Sequence, residues 1–564
     1  MMKRILLACS LLLAVLFSTP LPGAERIRER VYLSTDREVY VAGDAVWLSA
    51  WCVDASTGQL SAFSKTAYVE VHSPTGTVQT AKIALSGGRG AGRLVLPNTL
   101  PTGNYRLLAY TRLGASESGF DPLAGARTLS VFNTFSTDRA RDGVEIVPQV
   151  QGGAPVPASG DLTVSAPDAD RNGTSRIHFT NNGAEPVSFS LSVRHDDGIP
   201  APAGKRIGDF VRDVHSLPPA GGFDGSVIPE YEGEVLRVRV TGTDEAGLRD
   251  VVDRYAFIST PGSGEDLYAV SIQEGGTATI FTSNIYGDQD MFLEIEKPDD
   301  GNICHLELVS PFLNFPAGDI PALAMSPAWA DALELRGLGM QLERIFDADT
   351  LYSALPARRH GIFDERDRIR YVLDDYTRFP LMEEVFIEFI PEIRGRRVDG
   401  RREVQVWSPD QLGGYYFPTD AALVLLDGVP VLDHEKIFAY DPLLVRYVDI
   451  YMGTYFFGER SFSGVVNLVT YKGTLPSIAF EDNVRIISFQ GCSVPLAYTC
   501  ADVDAEYPDY RQTLCWHPLL TLAPGESMDV ECKTPAYSGR FEVVAEGLTG
   551  AGEAVSACTG FTVR

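Results

Sequence analysis

Few side chains in this 564-residue chain stand where chemistry would need them. The densest group is basic: "RGRRVDGRR" places Arg394, Arg396 and Arg397 before Asp399-Gly400, with Arg401 and Arg402 after it. Clustered guanidiniums grip carboxylates, phosphates or lipid headgroups. Asp-Gly between short strands is a hairpin tip, and a solvated hairpin turning at Asp399-Gly400 is the plainer reading of the same stretch. "YFFGERSF" adds Tyr455, Phe456, Phe457 and Arg460, aromatic and cationic groups suited to a binding edge. In "DADRNG", Asp168, Asp170 and Asn172 alternate ahead of Gly173 as calcium ligands do. The twelfth position, however, holds Phe179 where a bidentate Glu is required, and a polar turn is expected.

Catalytic constellations are absent from the pattern. There is no His-Glu-x-x-His, Gly-x-Ser-x-Gly, phosphate loop or Cys-x-x-Cys. His305, His434 and His517 read as surface or strand residues, and Asp374-Asp375 and Glu383-Glu384 as solvated pairs. Nothing selects two carboxylates for glycoside chemistry. The expectation is a non-enzyme without cofactor or metal.

The elements that carry these residues are mostly strands. With 53 Gly, 35 Pro and 23 Tyr, turn residues are dense, and short alternating runs such as "TAYVEVH" and "RVRVTG" fit half-buried strands. The length predicts roughly three to five domains. A net charge of -27, from 48 basic and 75 acidic residues, argues against a nucleic-acid partner. Met1 to Arg4, the apolar "ILLACSLLLAVLF" and "STPLPGA" read as an export signal over 1–24. No later stretch has the roughly 18 apolar residues of a membrane-spanning helix. The chain is therefore expected in the periplasm or associated with the outer membrane or cell surface. Five of the eight cysteines, Cys492, Cys500, Cys515, Cys532 and Cys558, crowd the C-terminal end, where one or two disulfides are expected. Cys52 or Cys304 is expected to be buried and inert.

Strand and turn signals recur through 25–135, as one antiparallel sandwich would require. Tyr32, Thr35-Asp36-Arg37, Val39-Tyr40, Gly43-Asp44 and "LPTGNYRLLAYT" resemble the second macroglobulin domain of the alpha-2-macroglobulin family. After a Gly/Pro-rich linker, 155–228 is similar to a further macroglobulin-like β domain. Residues 229–316 resemble a transthyretin-like, carboxypeptidase-regulatory module, chiefly around Tyr286-Gly287-Asp288. Leu333, Leu335, Leu338, Met340, Leu342, Ile345 and Phe346 have mostly helical spacing, so 317–380 is expected to be a helical connector.

From 381 to 475 the pattern becomes helix, hairpin, strand, turn, short helix, strand, turn, strand. "LVLLDGVPV", "DPLLVRYVDIYMG" and "SFSGVVNLVTYKG" resemble, in order, the plug domain of TonB-dependent outer-membrane receptors. Asp427-Gly428 is then a structural turn, and Gly464 brings the last strand close to its neighbours. About ninety residues follow Gly473, whereas a barrel of twenty-two strands needs at least about two hundred. A plug-like unit reused for binding is the expectation.

"TLCWHPLLTL", Gly525 and "GRFEVVAEGLT" in 483–564 resemble the sandwich that precedes the thioester domain of alpha-2-macroglobulins. "QGCSVP" around Cys492 lacks the Glu and Gln of a thioester motif. The predicted architecture is mainly β, a string of antiparallel macroglobulin/Ig-like sandwiches plus one small α+β plug-like domain. The function expected from it is non-enzymatic binding of an outer-membrane or periplasmic protein. The alternative is a thioester-free endopeptidase inhibitor, with "QGGAPVPASG" or "LPARRHGIFDERDR" as bait and a protease as partner.

Overall fold

The computed structural model describes residues 27–136, 143–148, 159–262, 266–296, 303–345, 352–354, 368–398, 400–410, 412–457, 460–498 and 509–564. The predicted signal, Asp399 and most of both bait candidates lie outside them. The protein is mainly β, in several small, mostly antiparallel sheets. Among the described residues no helix is long and apolar enough to cross a membrane.

The N-terminal sandwich faces a three-stranded sheet (Glu29–Thr35, Ala45–Asp54, Arg89–Val95) with a five-stranded one that includes Thr66–Ser73, Gly76–Ala84 and Gly103–Tyr110. Alternation puts Leu33, Leu48, Val69, Ile83 and Leu107 into one core. Gly43 turns at φ +98°, and a Cβ there would meet Met340 Sδ at 3.2 Å. Helix Ala330–Ile345 packs at this turn, with Arg336 donating to the Val39 carbonyl.

The two later sandwiches expected at 155–228 and 483–564 are one body. Strand Thr174–Asn181 pairs with Ser527–Lys533, and Val187–His195 lies between Thr513–Leu522 and Gly539–Thr549. Neither stretch has enough strands to cover its own apolar face. Phe179, Phe189, Phe541 and Phe561 close the core only when both are present. The module after residue 229 likewise borrows a strand: Val484–Gln490 pairs with Asp288–Ile295 and sends Phe489 into its core.

The connector is helical only in part. Strand Arg368–Val372 pairs with Val445–Phe457 and forms the edge of the next sheet. That sheet runs Arg368–Val372, Val445–Phe457, Arg460–Thr470, Leu423–Leu426, Val429–Pro430, with a parallel step between the third and fourth strands. Helices Met382–Phe389 and His434–Phe438 and hairpin Ile393–Val398/Arg401–Val406 cover one face. The other face packs on the 229–316 module through Phe257, Leu267, Leu425, Phe457 and Val465. The 381–475 unit is thus a compact mixed sheet with helices.

Two cysteines expected to bridge, Cys492 and Cys558, are thiols. Burial pushes the Cys558 thiol up to about 12, and it donates to Glu542 at 3.4 Å. Cys515 and Cys532 lie in the core shared by the two half-sandwiches, Cys52 and Cys304 are buried, and Cys500 is outside the described residues.

Candidate binding edge

The turn at Asp427 and Gly428 is built from backbone requirements. Both residues take positive φ, 47° and 83°, as a tight two-residue hairpin demands. The buried Asp427 carboxylate accepts from the Thr470 amide and hydroxyl, each at 2.7 Å, and from the Leu475 amide at 2.9 Å. These bonds hold the end of the neighbouring strand. At Gly464 a Cβ would come within 2.6 Å of Val406 Cβ, so only glycine lets the arginine hairpin lie against this strand.

In the long hairpin Val445–Phe457/Arg460–Thr470, the register slips between Tyr451 and Thr454, where Gly453 has φ +106°. Such a bulge increases local twist. Beyond it, Phe456 is 72 % exposed while Phe457 is buried against the neighbouring module. Arg460 reaches Glu296 at 3.5 Å and lies over the Tyr255 and Phe462 rings. Phe457 therefore joins two units and does not form an exposed edge, a correction to the sequence expectation, while Arg460 spans the same seam half-exposed. Tyr455 also packs into this seam.

The basic hairpin does face outward. Arg394, Arg396 and Arg397 are exposed along strand Ile393–Val398. Arg394 donates to Gln405 Oε1 at 2.9 Å, and its guanidinium lies 4.2 Å from the Phe417 ring centroid. Phe417 packs beside Trp407, which stacks on Tyr415 at 5.5 Å. Tyr415 and Tyr416 are more than half exposed, and Leu412 is 96 % exposed. The strand leading into this loop, Ser408–Pro409, lies against the long strand Val445–Phe457 that carries Phe456. Arg402 turns the other way and is a strut, ion-paired to Glu383 and Glu435. Sequence reading missed Trp407, Tyr415 and Tyr416. The doubled Tyr after Gly413-Gly414 was the available signal.

A cleft of about 410 Å³ opens between this unit and the module, with Arg401, Arg460, Glu296, His434 and Asn483 in its wall. His434, expected as a surface or strand residue, begins helix His434–Phe438, is buried and accepts from the Val404 amide at 3.0 Å. Burial holds its pKa down to about 4, so the imidazole stays neutral at pH 7. The cleft walls are of mixed charge, and its neutral histidine is committed to the backbone. The exposed edge can bind: a guanidinium seated on an aromatic ring keeps donors free for a carboxylate, beside apolar rings that gain by desolvation.

No family profile and no curated protein matches the chain. Among solved structures it is similar to an Escherichia coli alpha-2-macroglobulin activated by porcine elastase (10 % identity, TM-score 0.24, covering 95 % of this chain and 44 % of that one). It is similar too to a Salmonella alpha-2-macroglobulin reacted with methylamine (10 % identity, TM-score 0.22, 96 % and 40 %). A third is the Escherichia coli adhesin FdeC (15 % identity, TM-score 0.14, 29 % and 46 %). The chain spans less than half the length of each, and its β-sandwich architecture stands on the strand pairing described above.

Proposed function

We propose that this chain is a non-enzymatic scaffold of the cell envelope that binds an outer-membrane or periplasmic protein through its 381–475 unit. Sandwiches position that unit, and the plug-like order of its motifs supports an envelope partner. The observation that carries the reading is that both faces of the mixed sheet are already covered, while Arg394, Phe417, Trp407 and Tyr415 form an arginine–aromatic edge beside it and Phe456 stands exposed on the long strand that Ser408–Pro409 touches. An acidic segment with apolar side chains complements such an edge.

The test is capture from solubilised envelopes on immobilised full chain, with a double variant, Trp407→Ala and Phe456→Ser, as control. One envelope protein enriched by the wild type and lost with the folded variant is expected. Equal capture by both chains would remove the edge from the proposal.

A further inference from the structure

Between the N-terminal sandwich and the module lies a buried cluster that the binding reading does not use. Lys82, on strand Gly76–Ala84, is 2 % exposed, and Glu234 and Glu230 are 0 % and 1 % exposed. Lys82 Nζ stands 2.6 Å from Glu234 Oε1, yet neither Glu234 oxygen accepts an aligned hydrogen bond. The ammonium also sits 4.4 Å from the Phe489 ring centroid, with buried Cys492 alongside.

Glu230 Oε1 accepts from the Tyr68 hydroxyl at 2.7 Å and the Val235 amide at 3.1 Å, whereas Oε2 is buried without a partner. Tyr68 and Lys82 are cross-strand neighbours, so the three groups converge from two units. The other titratable groups acting on the cluster are Arg112 and Cys492.

We propose that Lys82 and Glu234 condense spontaneously into an isopeptide bond that staples the N-terminal sandwich to the module. The balance closes without a co-reactant. A proton passes from the Lys82 ammonium to the Glu234 carboxylate, freeing the amine lone pair, and Nζ attacks the carboxyl carbon. In the adduct the proton on nitrogen passes to the departing hydroxyl. The C–N bond forms, one C–O bond breaks and water leaves, so an ion pair becomes a neutral amide.

Three features favour this. Held reactants reach effective concentrations of about 10⁵–10⁸ M. Forming the amide removes two charges from a site that solvates them poorly. Burial pushes Glu230 up to about 7, with the Glu234 charge adding to it, and a protonated Glu230 does not compete with Glu234 for the Lys82 nitrogen.

The experiment is peptide mapping of the purified, denatured and reduced full chain by mass spectrometry. A branched peptide joining Lys82 to Glu234 and lighter by one water is expected in the wild type, and is absent from Lys82→Arg. Glu230→Gln, which keeps a neutral side chain there and is checked for folding by its melting transition, should retain the branched product. Recovery of Lys82 and Glu234 only in separate peptides of unmodified mass would overturn the bond and leave an ion pair. Loss of the cross-link from folded Glu230→Gln would overturn the neutral role given to Glu230. Neither result depends on the partner-binding edge.

Discussion

The N-terminal sandwich is fastened to its neighbours by two polar joints built in opposite ways. Against the split sandwich, buried Glu38 is met by Arg127 at 2.8 Å, Arg206 at 2.6 Å and Arg194, while the Tyr32 hydroxyl bridges Arg127 and Glu546. Against the module, one ammonium faces Glu234, and Glu230, bonded to Tyr68, lies buried in the same joint. Burial opposes charge in both places. At Glu38, Arg194, Arg206 and Arg127 outweigh it and hold the carboxyl down to about 2. At Glu230 burial prevails and the carboxyl rises to about 7. A guanidinium offers five donors in a fixed fork, an ammonium three on a point charge. Where donors outnumber acceptors the charge survives inside the protein. Where acceptors outnumber donors the neutral form is favoured.

The largest expected effect comes from emptying the centre of the saturated joint. Glu38→Ala leaves three guanidiniums around a missing anion and should cost about 3–5 kcal/mol in denaturant unfolding. A loss under about 1 kcal/mol would show that water replaces the carboxylate freely.

Acidity separates the joints by sign. The contribution from neutral Glu230 is fully present below the ordinary 4.5 and is lost as pH rises through about 7. That from charged Glu38 is present above 4.5 and is lost as pH falls towards about 2. In the Lys82→Arg background, which excludes the cross-link, Glu230→Gln should therefore gain up to about 3 kcal/mol on its parent between pH 4.5 and 7. A pH-independent difference would break the contrast. In the same background Tyr68→Phe removes the hydroxyl that donates to Glu230, and should cost about 1–3 kcal/mol in unfolding.

How much of this was readable in the sequence depended on whether the cause was local. Asp427-Gly428 and Gly464 announced themselves because turn geometry and close approach demand those residue types wherever they occur. Alternation marked the strands of the first sandwich for the same reason. The pairing of Val187–His195 with Thr513–Leu522 and Gly539–Thr549 had no such signal, since an incomplete sheet looks locally like a complete one. Lys82 occupies a polar position of its strand and reads as solvated until Glu234 covers it. Phe456 and Phe457 were grouped as one edge although adjacent strand residues point to opposite faces, and the structure exposes the first and buries the second. The outward arginines were legible, but the aromatic support from Trp407 and Phe417 depended on a loop folding back.

The smallest effect is expected at Arg460, which carries the same charge chemistry without the burial. Its side chain is 41 % exposed, and its contact with Glu296 is long at 3.5 Å. Solvent screens the pair, so what remains is its stacking over Tyr255 and Phe462. Arg460→Gln should then cost no more than about 1 kcal/mol in unfolding, with little dependence on salt. A loss as large as that at Glu38 would mean that location at a joint between units, and not the ratio of donors to acceptors, sets what a charge contributes, and the contrast between the two buried joints would lose its cause.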